Sequence, residues 1–347
     1  MTVDPLSLAI RRLAAHESLD AASLTRAFDV IMRGEGTPAQ VAAILVALRV
    51  KGETAAEVAG VVEALRAAMI VLSADAPDEL VDTCGTGGGA LTTFNISTAA
   101  ALLAAGMGVR VAKHGNRSST SRSGSADVLE ALSVVIETTP KAMEATLREA
   151  GIVFMFAPLM HPAFRHLGPV RRELGIPTVM NMVGPLANPA RAGRQVVGVA
   201  ESTRLHLLAE SLAVLGSVRA MVVHGEPGMD EISPVGPTSV VEVRSGALSH
   251  WMIDPDIAGV SGVRGEHLVG GDPTENATLI ESVLGGGGPP GAQAAVILNG
   301  AAAYYVSTKG TTFDEAVTAA KSALAQGLGM DALSRLRIAS HRAAALS

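Results

Sequence analysis

The feature that most constrains the fold of this chain is a strand–loop–helix unit that occurs twice in succession between residues 82 and 130. In the first unit, a short strand predicted over residues 79–82 leads into a loop with glycine at positions 85, 87, 88 and 89. Such a run lets backbone N–H groups approach an anion closely. The Ala- and Leu-rich segment from Ser97 to Ala105 predicts a helix whose positive end faces this loop. The residues that can cap this helix are Asn95, Ser97 and Thr98.

The second unit begins with a buried strand predicted over residues 109–112. It ends in the basic turn Lys113-His114-Gly115-Asn116-Arg117, and hydroxyl groups follow from Ser118 to Ser121. A helix capped by Ser123 or Ser125 is predicted through Leu132. Because the carboxyl ends of parallel strands lie at one edge of a sheet, we expect the glycine loop and the basic turn to meet there. Lysine as a point charge and arginine as a fork both suit phosphate oxygens.

The composition agrees with a large α/β core. The chain has 347 residues, enough for two domains, and its 48% apolar but only 3% aromatic content favours aliphatic helices packed on a buried sheet. The net charge of −6 excludes a general polyanion binder, and neither a nucleic-acid nor a membrane partner is expected. Cys84 is the single cysteine, so no internal disulfide can form and a cytoplasmic location is expected. Its position invites a nucleophile interpretation, but a small residue at a strand end explains it and is favoured.

The remaining segments are predicted from periodicity and capping signals. Residues 1–70 are expected to be helical, because Thr37-Pro38-Ala39-Gln40 and Thr54-Ala55-Ala56-Glu57 are capping boxes. The glycine-rich run from Gly285 to Gly291 is interpreted as a linker. The other patterns predict strands at residues 134–136, 152–156, 195–199 and 220–223, and helices at 140–150, 162–174, 204–215, 294–305 and 312–326.

Several groups have both a functional and an ordinary interpretation. The glycine run alone can be a plain turn, and the basic turn alone can be a solvated loop. Asp230 and Glu231 follow a predicted strand and can hold Mg²⁺ while leaving positions for substrate oxygens, but acidic turns are common. Arg171 can bind a carboxylate bidentately or remain a solvated helix arginine. His161 can line a cleft or cap its helix.

Four motifs, in order, resemble the anthranilate phosphoribosyltransferase family of tryptophan biosynthesis. They are Gly-Thr-Gly-Gly from Gly85, Asn-Ile-Ser-Thr from Asn95, Lys-His-Gly-Asn-Arg from Lys113 and Gly-Ser-Ala-Asp from Gly124. The resemblance covers nearly the whole chain and is sharpest at residues 82–130, 154–189 and 224–238.

This resemblance implies an α/β fold of the nucleoside phosphorylase/phosphoribosyltransferase type. A small all-helical N-terminal domain, residues 1–72 joined by part of 160–192, is implied beside a larger α/β domain, residues 73–347. The larger domain should contain a central, mostly parallel sheet. A homodimer formed through the helical domain is also implied.

The same resemblance implies transfer of phosphoribose from 5-phosphoribosyl 1-pyrophosphate to the amine of anthranilate. Two Mg²⁺ ions per monomer would assist, without an essential general base. The metal ligands would be Ser97, Asp230 and Glu231. The anthranilate side would comprise Gly85, His114, Asn116, Pro158, His161, Arg171 and Gly184. The residues that would meet phosphoribosyl pyrophosphate are Gly85, Gly88, Gly89, Thr93, Asn95, Ile96, Ser97, Thr98, Lys113, His114, Gly115, Asn116, Arg117, Ser118, Ser119, Thr120, Ser121 and Ser125.

The chain departs from the family pattern at two places. The family's loop normally reads Gly-Thr-Gly-Gly-Asp-Gly, whereas Gly89 and Ala90 stand here, so an acidic group near the metal is missing. We therefore expect an altered Mg²⁺ dependence. Pro177 replaces the arginine of the usual Leu-Gly-Ile-Arg-Thr segment, which removes a charge and fixes φ.

Two other functions fit parts of the pattern. A pyrimidine nucleoside phosphorylase shares this fold and would cleave thymidine with phosphate, without needing the acidic pair. A non-catalytic relative would bind a metabolite or nucleic acid, but the net negative charge and Arg171 argue against nucleic acid. Thymidine cleavage and titration with single-stranded DNA discriminate between these functions.

Overall fold

The computed structural model describes residues 4–89, 91–118 and 122–346. Within these ranges seven strands form one sheet in the order β3-β2-β1-β4-β5-β6-β7. The first five strands run parallel, and the last two add an antiparallel hairpin at one edge. The strands are β1 Val81–Gly85, β2 Val111–Gly115, β3 Ile152–Phe156, β4 Arg194–Gly198, β5 Arg219–Gly225, β6 Thr238–Arg244 and β7 Ala247–Ile253. The prediction of an α/β fold with a mostly parallel sheet is confirmed.

Helices cover both faces of this sheet. The α-helices of the described ranges are α1 Pro5–Ala14, α2 Ala21–Met32, α3 Pro38–Lys51, α4 Ala55–Ala68, α5 Ile96–Gly106, α6 Ser125–Ala131, α7 Pro140–Ala150, α8 Ala157–Met160, α9 Gly168–Leu174, α10 Met180–Val183, α11 Leu205–Val214, α12 Pro273–Leu284, α13 Pro290–Ser307, α14 Phe313–Ala325 and α15 Leu328–Ala345. Short 3₁₀ turns occur at Pro77–Glu79, Pro162–His166, Gly184–Leu186, Ser202–Arg204, Pro255–Ala258 and Gly265–Leu268. No helix of the described chain is long and apolar enough to cross a membrane.

The N-terminal helices form a small bundle, as predicted. Both capping boxes are present: Thr37 and Gln40 bond reciprocally at the start of α3, and Thr54 and Glu57 do so at the start of α4. The carboxylate of Glu57 is fully buried, accepts the Leu19 N–H at 3.0 Å and lies 2.9 Å from the Lys51 ammonium. Because a buried carboxylate is tolerated only when it is bonded, this network fixes how α4 packs against the preceding helices.

Two apolar clusters lie on opposite faces of the sheet. On one face, α5 and α13 are almost completely buried and supply mainly alanine, leucine and valine. On the other face, α1 to α4 share a cluster with α11 and with the segment that contains Leu167, Val179 and Val183. In this way the crossover around α9 and α10 packs on the helical bundle and covers one side of the sheet's carboxyl edge.

Three element predictions were wrong or shifted. Residues 134–136 do not form a strand; this segment follows α6 and donates the Val135 N–H to Ser340 of α15. The helix predicted over residues 162–174 is a 3₁₀ turn followed by α9, since Pro169 has no N–H to continue the ladder. The first strand begins at Val81, and residues 77–79 form a 3₁₀ turn.

The predicted helix caps at the two anion loops were also wrong. Asn95 does precede α5, but its side chain does not bond the helix N–H groups. At α6 the capping residue is Gly124, so neither Ser123 nor Ser125 caps that helix. The carboxylate of Asp127 accepts the Gly124 N–H at 2.8 Å instead.

The hairpin of β6 and β7, together with α12 and α15, was not predicted. The hairpin turn at Ser245 and Gly246 has φ of 48° and 85°, the left-handed values of a two-residue turn that matches strand twist. A Ser-Gly pair between two alternating segments was therefore an available signal.

Candidate active site

The strand order places the candidate site where the chain reverses direction across the sheet. β1 pairs with β2 on one side and with β4 on the other, and ligands of such folds bind beyond the carboxyl ends of strands at this point. Gly85 ends β1, Gly115 ends β2 and Gly198 ends β4. The glycine loop and the basic turn therefore meet at one edge, as the sequence predicts.

Asp230 lies directly beneath the glycine loop. Its Oδ2 accepts the Gly87 N–H at 2.8 Å. A Cβ added to Gly85 would lie 2.5 Å from that oxygen, and one added to Gly89 would lie 3.2 Å from Oδ1. A Cβ at Gly198 would lie 1.6 Å from the Asp230 carbonyl oxygen. The loop closes on Asp230 because these positions lack side chains, while Gly88 faces open space.

Glu231 completes a pair of half-buried carboxylates. Its Oε1 accepts the Ser97 N–H at 3.1 Å, so the N-terminus of α5 points at this carboxylate. Burial and the neighbouring Asp230 raise the pKa of Glu231 well above its usual range, and burial raises the pKa of Asp230. Both shifts mean that burial disfavours the ionised form of these carboxylates, which a bound cation would favour.

The donor set of this pair fits Mg²⁺. No group of three His, Cys, Asp or Glu among the described residues could hold a metal by itself. Mg²⁺ is commonly bound by one or two carboxylates, with water and substrate phosphates supplying the other oxygens. The two carboxylates and the nearby Ser97 hydroxyl meet that requirement, whereas a structural metal would need a fuller protein shell.

The Lys113 side chain is buried at the carboxyl edge of the sheet and does not extend into the open space of the site. Its Nζ donates to the Thr83 carbonyl oxygen and to the Ser97 Oγ at 3.2 Å. Burial lowers the pKa of Lys113, while the charges of Asp82 and Glu231 act in the opposite direction. In the described structure this ammonium therefore fixes the Ser97 hydroxyl and balances part of the carboxylate charge.

The basic turn is held by acidic partners. Arg117 forms ion pairs with Asp127 at 3.1 Å, with Glu137 at 3.1 Å and with Glu130. The Ser118 N–H donates to Asp127 at 3.0 Å. Arg117 is thus already paired, and binding a phosphate would require it to leave these carboxylates. The predicted site residues Ser119, Thr120 and Ser121 lie outside the described residues.

The segment from Thr93 to Thr98 borders the same edge. Asn95 donates to the Ser123 carbonyl oxygen at 3.0 Å and accepts from Asn276 at 2.9 Å. Thr93 bridges to Val269. Thr98 is buried, and its hydroxyl has no partner within the described residues. Two other predicted residues also have partners within the protein. Ile96 is fully buried in the core, and the Ser125 hydroxyl donates to the Asn116 carbonyl oxygen at 3.3 Å.

A cavity of about 330 Å³ opens beside the end of β1. It is lined by all seven residues predicted for the aromatic substrate, namely Gly85, His114, Asn116, Pro158, His161, Arg171 and Gly184, and also by Gly115, Phe164 and Asn181. These residues come from the ends of the strands and from the segment between α8 and α10. The cavity therefore lies between the carboxyl edge of the sheet and the segment that packs on the helical bundle.

Two neutral histidines form one wall of this cavity. The rings of His114 and His161 lie 4.9 Å apart, and the Nε2 of each is buried without a partner in the described chain. Burial, with the neighbouring ring of His161, lowers the pKa of His114 to about 3. Burial lowers the pKa of His161 to about 4. At neutral pH both rings are uncharged and can accept a hydrogen bond from a ligand.

Arg171 is the cation of the cavity. It is half-buried, burial lowers its pKa, and no carboxylate of the described ranges pairs with it. Neighbouring Arg172 and Glu173 are exposed. A partly desolvated guanidinium facing an open cavity favours an anionic ligand, and its fork fits a carboxylate.

Comparisons with known proteins agree with this geometry. Residues 7–69 match the helical bundle domain of the glycosyl transferase family, and residues 77–330 match its a/b domain. The chain is 46% identical over 336 residues to the anthranilate phosphoribosyltransferase of Rubrobacter xylanophilus, an alignment that covers 97% of this chain and 98% of that protein. The chain belongs to the anthranilate phosphoribosyltransferase family.

Solved structures of the anthranilate phosphoribosyltransferase family share the whole fold. The crystal structure of the enzyme from Thermus thermophilus has a TM-score of 0.90 at 40% identity and covers 96% of this chain and 99% of its own. The enzyme from Saccharomyces cerevisiae, in complex with PRPP and Mg, has a TM-score of 0.86 at 26% identity over 98% of this chain and 99% of its own. The fold and the glycosyltransferase class inferred from the sequence motifs are both confirmed.

The two departures of this transferase from the family pattern occupy distinct places. Gly89 lies against Asp230, so an aspartate there would add a third carboxylate to the pair. Pro177 lines a smaller cavity of about 180 Å³, together with Arg49 and Arg204, on another side of the glycine loop.

Several residues of this transferase's site were missed by sequence reasoning. Asp82 is fully buried, and its carboxylate accepts the His114 N–H at 3.1 Å and the Asn188 side-chain N–H at 2.7 Å. Burial raises its pKa to about 6. Phe164 packs on His161 with ring centroids 5.6 Å apart. An acid inside an apolar strand was the signal for Asp82, whereas nothing local indicated Asn188 or Phe164.

Proposed function

We propose that this chain transfers the phosphoribosyl group of 5-phosphoribosyl 1-pyrophosphate to the amine of anthranilate. The products are N-(5-phosphoribosyl)anthranilate and pyrophosphate. The observation that carries the proposal is the 46% identity over 97% of the chain to an enzyme of that name. The cavity adds independent support, because it presents a cation without an acidic partner in the described chain at one end and the glycine loop at the other.

We assign the phosphoribosyl pyrophosphate to the edge between the glycine loop and the basic turn. Backbone N–H groups of the loop and the start of α5 supply donors for its oxygens. Asp230, Glu231 and the Ser97 hydroxyl are the proposed Mg²⁺ ligands, with two ions per monomer. Bound Mg²⁺ would neutralise charge on the pyrophosphate leaving group. Burial raises the pKa of both carboxylates in the free protein, and bound Mg²⁺ would stabilise their ionised forms.

We assign anthranilate to the cavity lined by the two histidines. Arg171 would hold its carboxylate, and the unpartnered Nε2 atoms of His114 and His161 would accept from its amine. Asn116, Gly85, Gly184 and Pro158 would close around the ring. This orientation directs the amine towards the end of β1, where the ribose is expected.

The chemistry then depends on position and charge. The amine nitrogen forms its bond to the ribose C1 as the bond from C1 to the pyrophosphate oxygen breaks, and the surplus amine proton leaves to water. A histidine with a pKa of about 4 or about 3 is a weak base at neutral pH, which supports catalysis without an essential general base. Positioning and electrostatic stabilisation of the leaving group supply the acceleration.

We also propose the domain division and assembly that the resemblance implies. Residues 1–72 with part of 160–192 would form the helical domain, and residues 73–347 the larger one. Shared burial of Leu167, Val179 and Val183 with α1 to α4 supports this division. Exposed Leu8 and Val50 leave apolar surface on α1 and α3, which supports a homodimer through the helical domain. The single cysteine supports a cytoplasmic location.

Loss of anthranilate fluorescence tests the proposed reaction. The purified chain should consume anthranilate only when both phosphoribosyl pyrophosphate and Mg²⁺ are present. Release of one pyrophosphate per anthranilate consumed is the expected stoichiometry. Absence of turnover, combined with cleavage of thymidine by phosphate, would replace this proposal with a nucleoside phosphorylase. Binding of single-stranded DNA without any turnover would instead favour a non-catalytic relative.

A further inference from the structure

The segment Leu298-Asn299-Gly300-Ala301-Ala302 has no role in the site described above. All five residues are buried within α13, which packs on the sheet. Asn299 is a polar side chain in the middle of this apolar helix. Because an unbonded amide in such surroundings is costly, its hydrogen bonds indicate why the position is polar.

Asn299 binds both backbone polar groups of a single residue. Its Nδ2 donates to the Ile232 carbonyl oxygen at 2.9 Å, and its Oδ1 accepts the Ile232 N–H at 2.9 Å. The same Nδ2 donates to the Ala295 carbonyl oxygen at 2.9 Å, which fixes the side chain against its own helix. The Ile232 N–H belongs to the same peptide plane as the Glu231 carbonyl group. Asn299 therefore fixes the orientation of the peptide that follows Glu231.

The next residue, Gly300, brings α13 against the helix that meets the Glu231 carboxylate. A Cβ at Gly300 would lie 2.9 Å from the Leu103 side chain of α5. The same α5 helix donates the Ser97 N–H to the Glu231 Oε1 at 3.1 Å. The backbone after Glu231 is therefore fixed by α13, and its carboxylate is fixed by α5. These two helices pack closely on each other.

We propose that Asn299 is a positioning residue for the metal-binding pair Asp230 and Glu231. This inference rests on the proposed role of that pair in binding Mg²⁺ with phosphoribosyl pyrophosphate. Asn299 does not touch the substrates. It fixes the backbone of the acidic pair so that the Glu231 carboxylate stays on the same side as the Ser97 hydroxyl. Residues that orient metal ligands typically change metal affinity about tenfold to a hundredfold when they are removed.

Mn²⁺ binding, followed by electron paramagnetic resonance in the presence of phosphoribosyl pyrophosphate, tests this role without relying on turnover. Asn299→Leu keeps a similar volume and removes all three bonds. Asn299→Ser retains a hydroxyl that can bond Ala295 but cannot reach Ile232. Both variants should bind Mn²⁺ about tenfold more weakly than the wild type, and their KM for anthranilate should stay within about twofold.

Thr146→Val is the matched control, because Thr146 is buried in α7 and its hydroxyl donates only to Ala142 at 2.9 Å. It should lower the melting temperature without changing Mn²⁺ affinity. Wild-type affinity in a folded Asn299→Ser variant would overturn the role of Asn299. If the wild type itself binds no Mn²⁺ with phosphoribosyl pyrophosphate, the metal assignment of Asp230 and Glu231 fails instead.

Discussion

Arg171 offers the sharpest test of the anthranilate assignment, because its charge has no acidic partner among the described residues. A charge-assisted bidentate hydrogen bond to a half-buried carboxylate is worth about 3 kcal/mol. Arg171→Gln should therefore raise the KM for anthranilate roughly a hundredfold, since about 1.4 kcal/mol corresponds to a factor of ten. Arg171→Lys keeps the charge but loses the fork, so we expect an increase of about tenfold. The KM for phosphoribosyl pyrophosphate should change less than about twofold in both.

The stability of the same variant gives a second, independent expectation. Burial disfavours the charged form of Arg171, and the free protein offers it no ion pair in the described chain. Removal of the charge should leave the melting temperature unchanged or slightly higher. Arg172→Gln is the matched control, because Arg172 lies on the same helix and is exposed. Equal increases in both KM values, or an equal effect of Arg172→Gln, would refute the assignment.

Three further predictions concern the loop and the histidine wall. Gly89→Asp adds a third acidic group beside the pair, since a Cβ at position 89 lies 3.2 Å from the Asp230 Oδ1. It should shift the Mg²⁺ optimum several-fold relative to Gly89→Asn, whereas identical Mg²⁺ profiles would contradict it. Gly85→Ala brings a Cβ within 2.5 Å of the Asp230 carboxylate and should weaken phosphoribosyl pyrophosphate binding more than tenfold in calorimetry. The pKa of His161 is about 4 in the folded protein and about 6.5 in the unfolded chain. Between these values the unfolded chain binds the extra proton, so the free energy of unfolding falls as pH drops below about 6.5. His161→Gln should consequently lose about 2 kcal/mol less stability than the wild type between pH 7 and pH 5 in urea unfolding, and parallel pH profiles would exclude a neutral His161.

Local sequence patterns were sufficient to predict an element where the signal residue and its partner lie within one helical turn or one strand. The capping boxes at Thr37 and Thr54 need a partner only three residues away, and both form as predicted. The strand Ile152–Phe156 is apolar throughout and buried throughout, so no distant residue had to be known. By contrast, the β-branched run at residues 134–136 lies outside the sheet, where the Val135 N–H donates to Ser340 of α15. Tertiary packing overrides strand propensity there.

The candidate site divides in the same way. The glycine loop, the acidic pair and Arg171 each fit a ligand by residue type, and the family resemblance selected that role over their ordinary interpretations. The direction of Lys113 was not predictable, since its partners Thr83 and Ser97 lie on other elements. The acidic partners of Arg117 lie 10 to 20 residues further along the chain, at Asp127, Glu130 and Glu137. Single-sequence reasoning finds what a residue can bind, and packing decides which partner it meets.

The charges of the site are arranged so that its two ends differ before any ligand binds. At one end, burial raises the pKa of Asp230 and of Glu231, and for Glu231 the Lys113 ammonium offsets only part of that rise. That end favours a cation together with the oxygens of a polyphosphate. At the other end, Arg171 is the charged group of the cavity lining, and both histidines are neutral. An uncharged wall leaves the lone pair of an arylamine free to react, whereas a protonated histidine would donate to it and weaken it as a nucleophile. In the proposed reaction, the depressed pKa values of His114 and His161 would keep the acceptor side of the cavity neutral, in agreement with catalysis by placement and not by proton abstraction.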